Sequence, residues 1–396
     1  MTQQPQSNPE ARAGVSLTQD ALRKLRRNRA AMASIYVLVG VCVLAFFAPV
    51  LPLQPPDAIQ TPLAFAEPTV SPLFVKTFDL DVEAIGSQSE ELRELRAEVR
   101  SRRAAGAEIE EVLRLERQIE DITQRPYRNA GFPVLGPLSR GLVQARHAVF
   151  GSRSLNSVCG RDKLGRDILS RIFWGSRVSL IVGLVATLVS VVIGVTYGAV
   201  SGYSGGWVDN LMMRTVDVLY SVPFIFLVIF VIAVLDAPEI KAWREEHGVN
   251  RILIFYFVVG AIYWLTMARV VRGQVLSLKN EPFVEAARSL GVSHAGVVFR
   301  HIVPNLLSVV IVYLTLTIPR VILFEAFLSF LGLGVEPPDV SWGLLANEGI
   351  KVITPVKVYW WLILFPSLAI GATLFALNFL GDGLRDAFDP RLRSQG

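Results

Sequence analysis

Asn280 to Asn305 reads NEPFVEAARSLGVSHAGVVFRHIVPN, a polar helix-forming stretch set between two long apolar runs. Its residues predict two short helices joined by a turn. Asn280 can cap the first helix, and Pro282 is tolerated in a first turn, where a missing N–H costs nothing. Gly291 marks the end of that helix, because the residue after a last turn commonly needs positive φ. Ser293 is placed to cap the second helix, and Pro304 marks a bend into the apolar run that follows. Ala286 and Ala287 leave a flat, small-residue surface that another protein can approach closely.

The flanking runs lie near 252–271 and 306–328. Each is long enough to cross roughly 30 Å of hydrocarbon at about 1.5 Å per residue. Further runs lie at Ser34 to Leu51 and near 178–200, 216–236 and 358–381. Six spans predict an all-α membrane protein. Composition agrees: 52% of residues are hydrophobic and 18% charged, against about 25% charged in soluble domains. The net charge is +5, but its basic residues cluster just outside the apolar runs, where anionic lipid uses them. They form no nucleic-acid stripe, so no nucleic-acid partner is expected. Cys42 lies in an apolar run and Cys159 in a polar one, so no disulfide is expected. His147, His247, His294 and His301 lack ligand spacing, so no metal site is expected.

Arg23, Lys24, Arg26, Arg27 and Arg29 precede the first run, and Arg214, Arg272, Lys279, Arg288 and Arg300 follow even-numbered crossings. The tail adds Arg385, Arg391 and Arg393. Both termini are therefore expected in the cytoplasm. The first run follows a long leader and lacks a small-x-small cleavage site, so it reads as an anchor rather than a signal peptide. The expected organisation is a cytoplasmic segment 1–33, a first span 34–51 and an extracytoplasmic insertion 52–177. A five-span core 178–381, with the cytoplasmic loop 277–305, and a cytoplasmic tail 382–396 complete it.

The insertion opens with Pro52, Pro55, Pro56 and Pro62, an extended stretch. Residues 88–124 read as helical, with one seam at Leu92, Leu95 and Val99 and another at Ile109, Val112, Leu113, Ile119 and Ile122. Ala104–Ala105–Gly106 separates the seams, leaving either one long helix or a hairpin.

No G-x-x-x-x-G-K-[ST] phosphate loop, His-Glu-x-x-His or G-x-S-x-G is present. Against that background, Glu285–Ala286–Ala287, Gly291 and Pro304 stand at the spacing of a known signature. The chain resembles the permeases of binding-protein-dependent ABC importers. The His-x-x-Pro-Asn ending, His301 to Asn305, resembles the version typical of dipeptide and oligopeptide importers and their nickel-type relatives, in the C-like subunit. Three further stretches resemble the same subfamily: Asp162–Lys163–Leu164–Gly165–Arg166–Asp167, Gly202 to Asp209, and Leu328 to Gly334 running on to Ser341–Trp342–Gly343. Gly381 to Asp386 with Asp389–Pro390 adds a fourth. Together they cover about 162–391. The family usually has Gly-Thr-Asp where this chain has Gly160–Arg161–Asp162, and its first external loop is much shorter.

The resemblance implies a type I importer transmembrane domain in the inner membrane. Its loop would be the coupling helix, with Glu285, Ala286, Ala287, Gly291, His301, Pro304 and Asn305 meeting a cytoplasmic ATPase. The implied partners are two ATPase domains or subunits, which bind the ATP and Mg, a second homologous permease, and an extracytoplasmic substrate-binding protein. The implied cargo is a di- or oligopeptide, with a nickel chelate or another small solute as the alternative. No cofactor is expected in this chain, and it is not itself expected to be an enzyme. A secondary transporter would show repeated halves with broken helices. A membrane-anchored scaffold would leave the loop match unexplained.

Ionisable groups inside spans usually face protein or water. Arg320 and Glu325 are read either as a structural pair or as lining the translocation path near its outer mouth. Asp217 is expected to face Arg214, and Tyr359–Trp360–Trp361 to form an interfacial belt.

Overall fold

The computed structural model describes residues 17–77, 80–247, 249, 251–337 and 339–388. The fold begins with α1 (Leu17–Arg27), α2 (Arg29–Phe47), the strand β1 (Phe74–Lys76), α3 (Val82–Ala104), α4 (Ile109–Asn129), α5 (Pro137–Phe150) and the strand β2 (Arg153–Leu155). It continues with α6 (Ile168–Ser204), α7 (Gly206–Ser221), α8 (Phe224–Leu235), α9 (Pro238–Glu246) and α10 (Arg251–Leu278). α11 (Pro282–Ser289) and α12 (His294–Gly296) follow, and a π-helical turn, Val297–Ile302, leads into α13 (Val303–Phe330). α14 (Trp342–Ile350) and α15 (Trp361–Phe388) close the chain.

Among the described residues, five helices are long and apolar enough to cross a membrane: α2, α6, α10, α12–α13 taken together, and α15. The apolar run at 216–236 is not one straight span. α7 and α8 meet at a bend of 82°. Pro223 lacks the N–H a continuing helix needs and forces the residue before it out of the helical region; Val222 is extended, at φ −78° and ψ 124°. No break interrupts the helical course at Pro304, where a bend is expected. Pro304 comes just after the π-helical turn Val297–Ile302, an irregularity of the backbone beside the position where the proline lacks an N–H.

α6 is the central post, packed along α10. Small residues let their backbones close up, which is how helices associate without a hydrophobic gradient. A Cβ on Gly194 would lie 2.8 Å from the Trp264 carbonyl oxygen, and one on Gly260 2.7 Å from that of Ala186. At one end of the bundle, α1 folds back on α15, with Ala21 and Leu25 against Ala387. Asn28 accepts from Ala31 N at 3.1 Å and caps α2.

The opposite end carries the insertion. The 88–124 region is a hairpin: α3 and α4 pack on each other about a turn in which Gly106 has φ +71°. Val99, Val112 and Ile122 are buried between and beneath them. Ile109, expected in the seam, is 78% exposed because it is the first residue of α4 and lies beyond the contact. Arg102–Glu111 at 2.6 Å and Arg103–Glu116 at 2.7 Å tie the hairpin ends, though exposed pairs contribute little. Below it, Tyr127, Phe132, Leu135 and Val143 pack with Ala48 and Trp174, seating the insertion on the ends of α2 and α6. Arg146 of α5 donates to the carbonyls of Leu51 (3.1 Å) and Leu53 (2.9 Å).

Polar contacts lock this end. Arg166 and Arg171 both meet Asp162 Oδ2, at 2.6 and 2.9 Å, and both reach Glu348 on α14. Burial alone would raise the Glu348 carboxyl, but Arg171 and Arg166 outweigh it and hold the group below its ordinary value. Gly165 has φ +75°, and a side chain there would collide with the Gln60 carbonyl. Arg161, where the family has Thr, is buried and donates to the Gly165 carbonyl (2.7 Å) and to Gln54 Oε1 (3.0 Å) of the insertion. The aromatic belt is partly internal. Trp361 is buried with its Nε1 on the Arg161 carbonyl at 3.2 Å, and Tyr359 stacks on Phe65 at 4.1 Å. Only Trp360, half exposed, keeps the outward position expected of it.

Candidate functional site

α11 is an amphipathic short helix lying across the end of the bundle opposite the insertion. Val284 and Ala287 point inward, into a core with Val271, Val275, Val297, Ile302 and Leu306. Its N-cap is Glu281, with no side-chain cap bond, rather than Asn280: Pro282 at the first helical position sets the start one residue later. Gly291 follows the helix with φ +77°. Ser293 Oγ accepts from Gly296 N at 3.3 Å and caps α12.

The small-residue surface is half what the residue types suggest. Ala287 is buried at 5% and faces the core, so only Ala286 and Glu285 of that trio are presented outward. The outer face is completed by Phe283, 39% exposed, and Leu290, 84% exposed. Phe283 and Leu290 thus face away from the core that Val284 and Ala287 enter. His301 is half buried in the π-helical turn and its carbonyl accepts from Asn305 Nδ2 at 2.6 Å. Pro304 is exposed.

The loop is held by residues far off in sequence. Tyr203 Oη lies 3.0 Å from His294 Nδ1, and Arg288 stacks over the Tyr203 ring at 5.0 Å. Lys279 Nζ donates to the Gly202 carbonyl at 3.2 Å. Beside them Asp209 takes a bidentate grip from Arg272, at 2.7 and 2.6 Å, and a bond from Ser201. Thus the 202–209 and 280–305 motifs form one unit. Tyr203 stood inside a motif, but no residue pattern indicated its partner.

Within the spans, Asp217 pairs with Arg269 of α10 at 2.8 Å, not with Arg214. Three residues apart on one helix, Arg214 and Asp217 were plausible neighbours, but α10 offers a cation that also stacks on Tyr220 at 4.2 Å. No ion pair joins Arg320 to Glu325, both of them described residues. Glu325 is fully buried, taking hydrogen bonds from Ser329 Oγ (2.7 Å) and Ser179 Oγ (3.4 Å). Arg320 is exposed on α13.

Comparison with known proteins bears on the whole arrangement. A family model described as binding-protein-dependent transport system inner membrane component matches residues 192–394. Another, described as the N-terminal TM domain of oligopeptide transport permease C, matches residues 16–68. The oligopeptide transport system permease protein OppC of Escherichia coli (strain K12) is 50% identical over 234 residues, 59% of this chain and 72% of that protein. The dipeptide transport system permease protein DppC of Bacillus subtilis (strain 168) is 44% identical over 234 residues, covering 59% and 68%. The glutathione transport system permease protein GsiD of Pectobacterium atrosepticum is 42% identical over 238 residues, covering 59% and 73%. Residues 69–191, most of the insertion, lie between the two family matches.

Proposed function

The chain belongs to the family of binding-protein-dependent transport system inner membrane components, and from that premise we propose how it works as the C-like permease subunit of an ATP-driven peptide importer. The single observation that carries the mechanism is the exposed α11 face, Phe283, Glu285, Ala286 and Leu290, on a loop braced from beneath by Tyr203, Lys279 and the Asp209–Arg272 pair. A surface that is apolar, outward and rigidly backed suits a lever. Closure of two ATPase partners on ATP would push α11, and the brace would pass that movement to α6, α7, α10 and α13.

The chain is a multi-pass inner-membrane protein that works with a substrate-binding protein and ATPases. In the finer reading, both termini and the loop lie in the cytoplasm, α7–α8 form the third of six crossings, and the insertion lies outside. The domain division follows: 1–33 and 382–396 cytoplasmic, 34–51 the first span, 52–177 external and 178–381 the core. The loop's Glu285, Ala286, Gly291, His301, Pro304 and Asn305 form or shape the ATPase contact, and Ala287 seats the helix. ATP and Mg bind the partners only, since this chain has no Walker-type loop. A second, homologous permease completes the path, because a bundle of this size does not enclose a peptide. Arg320 is the path residue favoured by exposure, whereas Glu325 acts inside the wall. Peptide, rather than a nickel chelate, is the cargo favoured by the peptide-transport names of the relatives. Purification of the chain with its co-expressed partners tests this. ATP hydrolysis stimulated by peptide-loaded binding protein is expected. Hydrolysis indifferent to the binding protein would refute the reading.

A further inference from the structure

We infer that one polar strip of this chain, built from Asp217, Tyr220, Tyr263, Thr266, Arg269 and Arg320, walls the translocation path from its loop side to just beyond mid-span and receives the charged ends and main-chain groups of an extended peptide; this rests on the permease reading above. Three observations carry it.

The first is register. α7 and α10 run antiparallel, and their polar groups meet in sequence: Asp209 with Arg272, Asp217 with Arg269, Tyr220 Oη with Thr266 Oγ1. Tyr263, Thr266 and Arg269 lie three residues apart, so they climb one side of α10 in steps of about 4.5 Å. Tyr263 Oη then donates to the Arg320 carbonyl at 3.3 Å and carries the strip onto α13. The side chains of Arg269 and Asp217 are 43% and 54% exposed. Arg269 belongs to a helix long and apolar enough to cross a membrane, and charged groups inside such spans are costly in lipid and face water or protein.

The second is the broken helix. Ser221, Val222 and Pro223 are exposed at the α7–α8 bend, beside Tyr220. Irregular backbone at membrane depth survives only where it is covered by protein or lines a water-filled cavity. The third is contrast. The outward face of α6 shows Leu184, Leu188 and Val192, 49%, 45% and 65% exposed and wholly apolar, as a lipid-facing surface requires. The strip is therefore not a generic exposed face. Phe224, Tyr263 and Phe324 pack ring to ring at its upper end, at 5.6–6.2 Å, forming an apolar collar above the polar section.

The ligand chemistry follows. Arg320 meets no carboxylate among the described residues, so it is suited to a peptide carboxylate entering past the collar. The half-exposed Asp217–Arg269 pair can exchange partners with an ammonium and a carboxylate. Tyr220, Thr266 and the open backbone at Val222 supply donors and acceptors that fit a main chain of any sequence.

The test uses the whole complex, with ATPases and binding protein, in vesicles. Cys42→Ser and Cys159→Ser provide the background. Single cysteines replace Ser221, Thr266 and, as a lipid-facing control, Leu188, and a charged, impermeant methanethiosulfonate is added from the loop side. Ser221→Cys and Thr266→Cys should react at least about tenfold faster than Leu188→Cys, because an apolar site suppresses the thiolate. A transported tripeptide with its binding protein should slow both. Labelling no faster than the control, or seen only in the isolated chain and lost in the complex, would overturn the strip and make it a subunit interface. Peptide uptake by the parent complex is measured in the same vesicles. Its absence would sink the permease reading instead, and the labelling pattern is read independently of it.

Discussion

At the insertion end, Arg171 and Asp162 are buried to 1% and 3% and share their partners with Arg166 and Glu348. At the loop end, Leu290 is 84% exposed, and the buried Asp209 pairs with an Arg272 side chain that is itself 33% exposed. One end closes ionic groups away from water. The other spends apolar surface on solvent. A buried network breaks expensively once any partner is lost, which suits a fixed frame, whereas an exposed apolar patch on a braced helix suits a partner that comes and goes. On the proposed reading, the moving contact and the rigid mount lie at opposite ends, joined by α6 and its close packing with α10.

The sharpest way to break that contrast is Arg171→Met. It leaves Asp162 and Glu348 partly unpaired in a buried site and should cost about 3–5 kcal/mol, read as a lowered melting temperature of the purified chain. Glu348 adds a pH signature. Its folded carboxyl lies below the ordinary value, so its contribution is present above the unfolded value of about 4.3 and is lost as pH falls through the folded one. Glu348→Gln should flatten the stability curve below that point. An unchanged acid limb would show that the network adds nothing to the frame.

A smaller effect is expected at Gly291. Nothing lies within 4 Å of a Cβ there, but φ is +77°. Gly291→Val should therefore cost about 1–2 kcal/mol through backbone strain alone, with coupling lost and the insertion end unaltered. Transport at the parent rate in this variant would remove the turn from the mechanism. The smallest change in stability belongs to Leu290→Ser, within about ±0.5 kcal/mol as for other surface sites. It should nevertheless reduce ATPase retention on the purified complex. Unaltered retention would mean the exposed leucine is no docking residue.

Local chemistry was readable in the residues. The turn at Gly291, the Ser293 cap and the helical seams around Gly106 each depend on neighbours a few positions away. The α11 face was half readable, because Ala286 and Ala287 read alike, yet the core takes Ala287 and leaves Ala286 outside. Partnerships across the fold were not readable. Asp217 finds Arg269 and Tyr203 finds His294 only once α6, α7 and α10 are packed. Pro223 was in view, but the apolar run through it concealed the 82° bend. Arg161 departs from the family pattern, and its reason appears only when the insertion delivers Gln54 to it.

The central claim is that ATPase closure enters this chain through the outer face of α11. A cysteine at Ala286, in the Cys42→Ser, Cys159→Ser background, tests it with a short bifunctional thiol reagent and the co-purified ATPase. The account predicts a crosslink to the ATPase whose yield changes between nucleotide-free and ATP-bound states, and none from a cysteine at the exposed Lys357 near the insertion end. No crosslink from Ala286→Cys in a complex that still hydrolyses ATP and transports peptide would contradict it.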